Sequence, residues 1–337
     1  MKKCCGNCIG DAFLVSQIKR ASKEDGDCEY CGSKNVKLID PPELVDYFEA
    51  LFGVYEESGS PDASSLEALI RSDWGLFDQL DPVKAETLLV LIFDDNSIFH
   101  KKYAPVVEND ATAVQEWEDF REELKHQNRY FPKNIKAIQE IERPFAFLQG
   151  RAPTKVYRAR MCDQQGPYPI NQMGKPPEKL AGNGRANPVG IPCLYVASDV
   201  ATAVAEIRPH KGELVSVAEF DVAPELKLID LQNPRKTVSP FELDDTILKL
   251  FRRYMEYLCR LGEELTMPVL PQTAHLDYLP SQYLCEYIKK IGYDGVIYRS
   301  AMGPGVNYAF FNDSKVIGKD VFLYRIDDIE VRFSGLS

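Results

Sequence analysis

The stretch from Gly184 to Glu206 constrains the fold of this chain most. A glycine-bounded turn, Gly184 to Gly190, has to pass a short apolar run, Cys193 to Ala197, directly into a helix. The run has the length and apolar character of a strand. Ser198 or Asp199 then supplies an N-cap, because a short side-chain oxygen can accept from a free N–H of the first helical turn. Small apolar residues follow, and Glu206 stands near the helix end, two residues before Arg208. A turn–strand–helix unit of this kind is expected to bring Arg185, Tyr195 and Glu206 to one mouth. One cation, one phenol ring and one carboxylate would suit an anionic substrate with a cationic or planar leaving group.

The chain ahead of this stretch has two other textures. Cys5-x-x-Cys8 and Cys28-x-x-Cys31 stand apart by residues 9–27, with Cys4 adjacent. This is the spacing of a four-thiolate zinc ribbon, in which each knuckle supplies two thiolates and the metal closes a tetrahedron. A segment this small needs such a staple. A closed site of this kind is structural, so no catalysis is assigned to the metal. From Pro41 to Gly150 the pattern is helical, without a strand signal. Leu44, Val45, Phe48, Leu51 and Phe52 share one face. Asp81-Pro82 opens a further helix, with Asp as N-cap and Pro at the first position. Trp117, Phe120 and Leu124 mark another, and Ile135, Ile138 and Ile141 the next. The aromatic pair Tyr130-Phe131 is expected in the core.

After a hinge at residues 150–155 the texture becomes mixed. Strands are expected at Val156–Met161, Leu214–Val222, Leu226–Leu231, Val296–Tyr298, Tyr308–Phe311 and Val321–Phe333. Helices are expected at Phe241–Leu261 and Asp277–Ile291. The irregular segment from Gln164 to Gly182 reads as a functional loop. The fold class is therefore α+β: a zinc ribbon (1–40), an α-helical bundle (41–150) and a mixed α/β domain (151–337). The chain has 337 residues and a net charge of −11, which argues against broad binding to nucleic acid or an anionic membrane. No apolar run approaches the roughly 18 residues of a membrane span. Nine cysteines behind an N-terminus without an apolar core point to a reducing, cytoplasmic setting.

The motifs resemble the RES family. Gly-Arg-x-Asn-x-x-Gly at 184–190 is followed by Tyr195 and Glu206 at the family's spacings. Tyr157-Arg158-Ala159, Gly292-Tyr-Asp-Gly295 with Ser300, and Gly305-Val-Asn307 come in the right order. One departure is Ala186, where the family often has an aromatic residue. The resemblance implies an ADP-ribosyltransferase-like fold and a toxin of a bacterial toxin–antitoxin or defence system that destroys NAD by phosphorolysis or hydrolysis. It makes NAD the substrate, and an antitoxin or sensor protein the partner; self-association into a homo-oligomer is left open. It implies Arg185, Tyr195 and Glu206 as catalytic, and Arg158, Asn187, Ser300 and Asn307 as substrate-binding. Cleaving the nicotinamide bond leaves positive charge on the ribose, as in glycoside cleavage. Such a site needs cations for pyrophosphate, an aromatic wall and a carboxylate facing the developing charge. Three other readings stand beside it: ADP-ribose transfer to a macromolecule, a zinc-ribbon adaptor that binds nucleotide without turnover, and a ribonuclease. The last rests on Arg121 and His126, whose Arg-x4-His spacing is similar to that of HEPN ribonucleases.

Overall fold

The computed structural model describes residues 2–330, apart from 108–110, 134, 140, 141, 165 and 271. The expected positions Ile141 and 331–333 lie outside the described residues. The chain forms two compact units, each built from two segments: 1–113 with 233–257, and 114–232 with 258–337.

In the first unit, strands β1 (Cys4–Cys5), β2 (Glu24–Gly26) and β3 (Val36–Ile39) form an antiparallel sheet in the order β1-β3-β2. The Asp11 side chain accepts from Leu14 N at 2.8 Å and so caps the helix Ala12–Ala21. Helices Val45–Phe52, Leu66–Trp74 and Pro82–Phe93 follow. Asp81 caps the last of these with its carboxylate on Lys84 N at 3.0 Å, and Pro82 takes the first position. Phe48, Phe77 and Trp74 are fully buried. Phe48 also meets Phe241, with ring centroids 4.9 Å apart. One expectation is corrected. The segment taken as purely helical holds a two-stranded antiparallel ladder, β4 (Tyr55–Glu57) with β5 (Tyr103–Pro105). Strands of three residues are too short to show a period-2 pattern.

The second unit is built on an eight-stranded mixed sheet. Its strands are β6 (Gln149–Gly150), β7 (Lys155–Cys162), β8 (Leu194–Ala197), β9 (Leu214–Val222), β10 (Leu228–Asp230), β11 (Gly295–Arg299), β12 (Val306–Phe310) and β13 (Val316–Arg325). They lie in the order β13-β9-β7-β8-β12-β11-β10-β6. Only β10 and β11 run parallel. The protein is thus mixed α+β. One face of the sheet carries Val156, Leu194, Val196, Phe220, Ile297 and Phe310 into the main core. The helix Val200–Glu206 packs on the other face, with Ala203 against Ala159, Ala197, Val215 and Val217. The alternation of side chains along each strand sorts the two sets.

The register of the sheet places the site. Tyr157 stands opposite Ala197, Ala197 opposite Asn307, and Asn307 opposite Tyr298. These four side chains therefore share one face of four adjacent strands. β7 pairs with β9 along residues 155–162 but with β8 at Tyr157 alone. Beyond that point β7 and β8 part and leave a gap. Tyr130 and Phe131, expected in the core, are 83% and 82% exposed. They lie in an irregular stretch past the helix Ala111–His126, and no helix or strand holds them. No helix among the described residues is long and apolar enough to cross a membrane.

Candidate active site

A cavity of about 290 Å³ opens where β7 and β8 separate. Its walls include Arg158, Arg185, Tyr195, Glu206 and Asn307, together with Tyr157, Tyr278 and Tyr298. Five of the seven substrate-site residues expected from sequence therefore meet in one pocket. Asn187 and Ser300 do not line it, and each has a different place.

Asn187 is buried and holds the 184–190 turn together. Its Nδ2 donates to Gly182 O and Pro188 O, at 3.0 and 2.9 Å. Its Oδ1 accepts from the Tyr195 hydroxyl at 2.7 Å. The side chain has no hydrogen left to donate to a ligand. The Tyr195 oxygen also accepts from Ala186 N at 2.9 Å, so this phenol is committed to the turn while its ring faces the pocket. Gly184 is required by that packing: a Cβ there would come within 2.5 Å of both Asn187 Oδ1 and Tyr195 Oη. Gln282, on the helix Leu279–Lys290, pins the same turn from outside. Its Nε2 donates to Gly184 O and Asn183 Oδ1, both at 2.7 Å, and to Asn187 O at 3.0 Å. Ser281 donates to Arg185 O at 2.7 Å.

This bracing fixes the backbone that carries Arg185; Arg158 comes from strand β7. Arg185 lies over the Tyr278 ring, 5.3 Å from its centroid. Among the described residues its buried Nη1 has no hydrogen-bond partner, and neither has the buried Nη1 of Arg158. Burial, helped by nearby Arg160, pulls the Arg158 guanidinium below its usual range. Arginine nonetheless stays charged at neutral pH. Two buried, unpaired guanidinium donors are costly unless an anion takes them.

Glu206 lines the same pocket. Its Oε1 accepts from Ser300 Oγ at 2.6 Å and from Asn307 Nδ2 at 2.7 Å. Oε2 takes no hydrogen bond among the described residues, and no ion pair to Arg208 forms. One carboxylate oxygen is therefore fixed and the other is free. Ser300 is itself set by accepting from Gly303 N at 2.8 Å and Met302 N at 3.1 Å. The helix that carries Glu206 is capped by Asp199, which accepts from Thr202 N at 2.8 Å. The Thr202 hydroxyl accepts from Gly305 N at 2.9 Å, and the Ser198 hydroxyl from Val306 N at 3.0 Å. These bonds tie the helix start to the 300–306 turn.

Of two further aromatic walls, Tyr278 was expected from the sequence only in a supporting position behind the site, with Gln282, and Tyr298 only as a buried strand residue. Tyr278 underlies Arg185. Tyr298 is buried, and its hydroxyl makes no hydrogen bond among the described residues. Burial and the Glu206 carboxylate push that phenol up, against the pull of Arg185. It stays neutral at physiological pH and can donate. Alternation along β11 separates Tyr298 from Ile297 in the sequence, but only the register shows which face opens to the pocket.

The Arg121–His126 pair has no free cation. Arg121 is paired with Glu118 at 2.5 Å and with Glu264 at 2.9 Å, and Arg260 joins both acids at 2.6 and 3.2 Å. His126 is exposed beside Glu122, 3.8 Å away. The arginine is spent inside a four-member ion network and cannot face a phosphodiester.

The four thiols of Cys5, Cys8, Cys28 and Cys31 all lie within 4.8 Å of one another. Three of their Sγ–Sγ separations are 3.9, 3.5 and 3.3 Å. A zinc–sulfur bond of about 2.3 Å implies tetrahedral edges of about 3.8 Å. The cluster is thus shaped to hold a metal ion. Cys4, though buried, is outside it, so Cys5 rather than Cys4 belongs to the cluster that could hold an ion.

The RES domain family matches residues 155–332. No curated protein matches the chain. Among solved structures, the crystal structure of the M. tuberculosis MbcT–MbcA toxin–antitoxin complex is similar at 13% identity. The match covers 57% of this chain and 93% of that chain, with a TM-score of 0.36.

Proposed function

The chain belongs to the RES domain family, and we propose that its second unit is an enzyme that breaks the nicotinamide–ribose bond of NAD. The observation that carries the reading is the pocket's charge arrangement. Two guanidinium groups with unpaired donors line the same pocket as a carboxylate that is fixed through one oxygen and, among the described residues, free at the other. Arg158 and Arg185 would take the pyrophosphate, which a guanidinium fork matches. The rings of Tyr195, Tyr278 and Tyr298 would enclose the nicotinamide and ribose.

As the C1′–N bond breaks, its electron pair leaves with nicotinamide, which departs neutral, and positive charge spreads over C1′ and the ring oxygen. Glu206 Oε2 would face that charge, held without reorganisation by Ser300 and Asn307. An oxygen of water or of inorganic phosphate then forms the new bond to C1′ and yields ADP-ribose or its 1″-phosphate. In this reading the unit has an ADP-ribosyltransferase-like fold. The cysteine cluster holds a structural zinc ion in a ribbon over residues 1–40, ahead of a helical segment to residue 150. NAD loss would arrest the host cell, so the chain is a toxin that an antitoxin restrains.

The test is NAD turnover by the purified chain with and without phosphate, followed by separation of the products. Wild type is expected to consume NAD. Arg185→Ala and Glu206→Gln are expected to lower kcat/KM by about 100-fold or more, the scale of losing one transition-state contact. A product that gains phosphate identifies phosphorolysis. ADP-ribose retained on macromolecules would move the reading to a transferase, and unchanged NAD in every sample would end it.

A further inference from the structure

The pocket between β7 and β8 is too small for a whole dinucleotide. At about 290 Å³ it lies at the lower end of the roughly 300–1,000 Å³ that small-molecule sites span. A second cavity of about 1080 Å³ adjoins it. The two share Arg158, Ala159 and Ile207 in their walls. Arg158 thus stands at the join, with a buried donor that no group among the described residues takes.

The far wall of the second cavity comes from Asp163 and from residues 168–180, a stretch that holds two short 3₁₀ turns, Ile170–Gln172 and Glu178–Leu180. Tyr168 is held there by donating its hydroxyl to Asp163 and by its N–H on Ser216 Oγ at 3.1 Å. Arg160 lies two residues beyond Arg158 on β7 and extends over the Tyr168 ring, 4.2 Å from its centroid. Its Nη1 donates to Gln172 O at 3.2 Å, which fixes the guanidinium in place. Arg160 is nevertheless exposed on the cavity side. The other cation in the wall, Lys175, is neutralised by Asp313 at 2.7 Å. The wall acids Asp163 and Glu213 are engaged by Tyr168 and by His210 N. Leu180 is 76% exposed and offers an uncovered apolar surface.

We propose that this second cavity binds the adenosine half of the dinucleotide, with the pyrophosphate on Arg158 at the join and the base on the Arg160–Tyr168 platform. A planar guanidinium stacks on a base as well as on a ring. The proposal rests on NAD being the substrate. It predicts that the enzyme selects a dinucleotide over nicotinamide mononucleotide, although the bond broken is the same.

The experiment compares kcat/KM for NAD and for nicotinamide mononucleotide in wild type, Arg160→Ala and Arg160→Lys, with AMP binding followed by calorimetry. Wild type is expected to favour NAD. Arg160→Ala is expected to lower kcat/KM for NAD about tenfold, the scale of one strong contact, with turnover of the mononucleotide unchanged. Arg160→Lys, which keeps charge but not the plane, is expected to behave like Arg160→Ala. Equal use of both substrates by wild type overturns the proposal, and so does a NAD preference that survives in Arg160→Ala. If wild type turns over neither compound, the reaction itself is misread. The subsite is then judged by AMP: saturable binding lost in Arg160→Ala supports it, and binding absent in wild type or unchanged in the variant overturns it.

Discussion

At the scale of single residues, the site depends on which polar atoms are already used. Glu206 Oε1 is occupied by Ser300 and Asn307, and this leaves Oε2 with a fixed direction. Asn307→Ala removes one of the two donors without touching the pocket's cations. It is expected to lower kcat for NAD by about tenfold to a hundredfold, since small misplacements of a catalytic group cost that much. KM is expected to change far less, because in the proposed reading Arg158 and Arg185 still hold the pyrophosphate. Steady-state kinetics on a variant with an unchanged circular dichroism spectrum checks this. Residues 158, 185, 195, 206 and 307 were picked out in the sequence through its resemblance to the RES family. What was not readable was the division of labour. Asn187 carries the same kind of amide as Asn307, yet its donors go to Gly182 and Pro188. Nothing in either residue's local sequence distinguishes them.

At the scale of elements, the N-terminal three-stranded sheet shows how few interactions a small sheet can have. β1, β2 and β3 contribute two, three and four residues. So short a sheet has little core, and a metal bound by four thiolates would supply much of its folding free energy. The purified chain is expected to contain one zinc ion per molecule by elemental analysis. Cys8→Ser, or removal of the ion by a chelator, is expected to lower the melting temperature and expose residues 1–40 to protease. A metal-free chain of equal stability would refute this. The spacing of the knuckles was legible because each one chelates locally. The β4–β5 ladder was not, because three-residue strands carry no period and the pairing spans some fifty residues of sequence.

At the scale of the whole molecule, stability should depend on acidity through the second unit. Asp277 is held below the usual carboxylate range by Lys125. Burial opposes the charge on Asp199, but the Thr202 N–H and the Ser198 and Thr202 hydroxyls outweigh it and also hold it low. Burial likewise opposes Glu118, and Arg260 and Arg121 prevail. For such groups the folded state binds its proton less readily than the unfolded chain. Their contribution is present above the unfolded value, about 4, and is lost as pH falls through the lower folded values. The urea midpoint of this unit is expected to fall between pH 5 and pH 3, and a midpoint that rises over that range would contradict the assignment. By itself, the sequence determined what short-range physics can specify: the N-caps at Asp81 and Asp199, the two cysteine knuckles, the alternation of Leu214–Val222, and the turn–strand–helix that carries Arg185, Tyr195 and Glu206. Only the tertiary structure decided which of those side chains remain unspent. That depends on groups arriving from far along the chain: Asn307 reaches Glu206, Gln282 braces the turn, and Glu264 consumes Arg121. A hydrogen bond or ion pair across a hundred residues leaves no periodicity to read, because it is set by sheet register and packing rather than by neighbours in sequence.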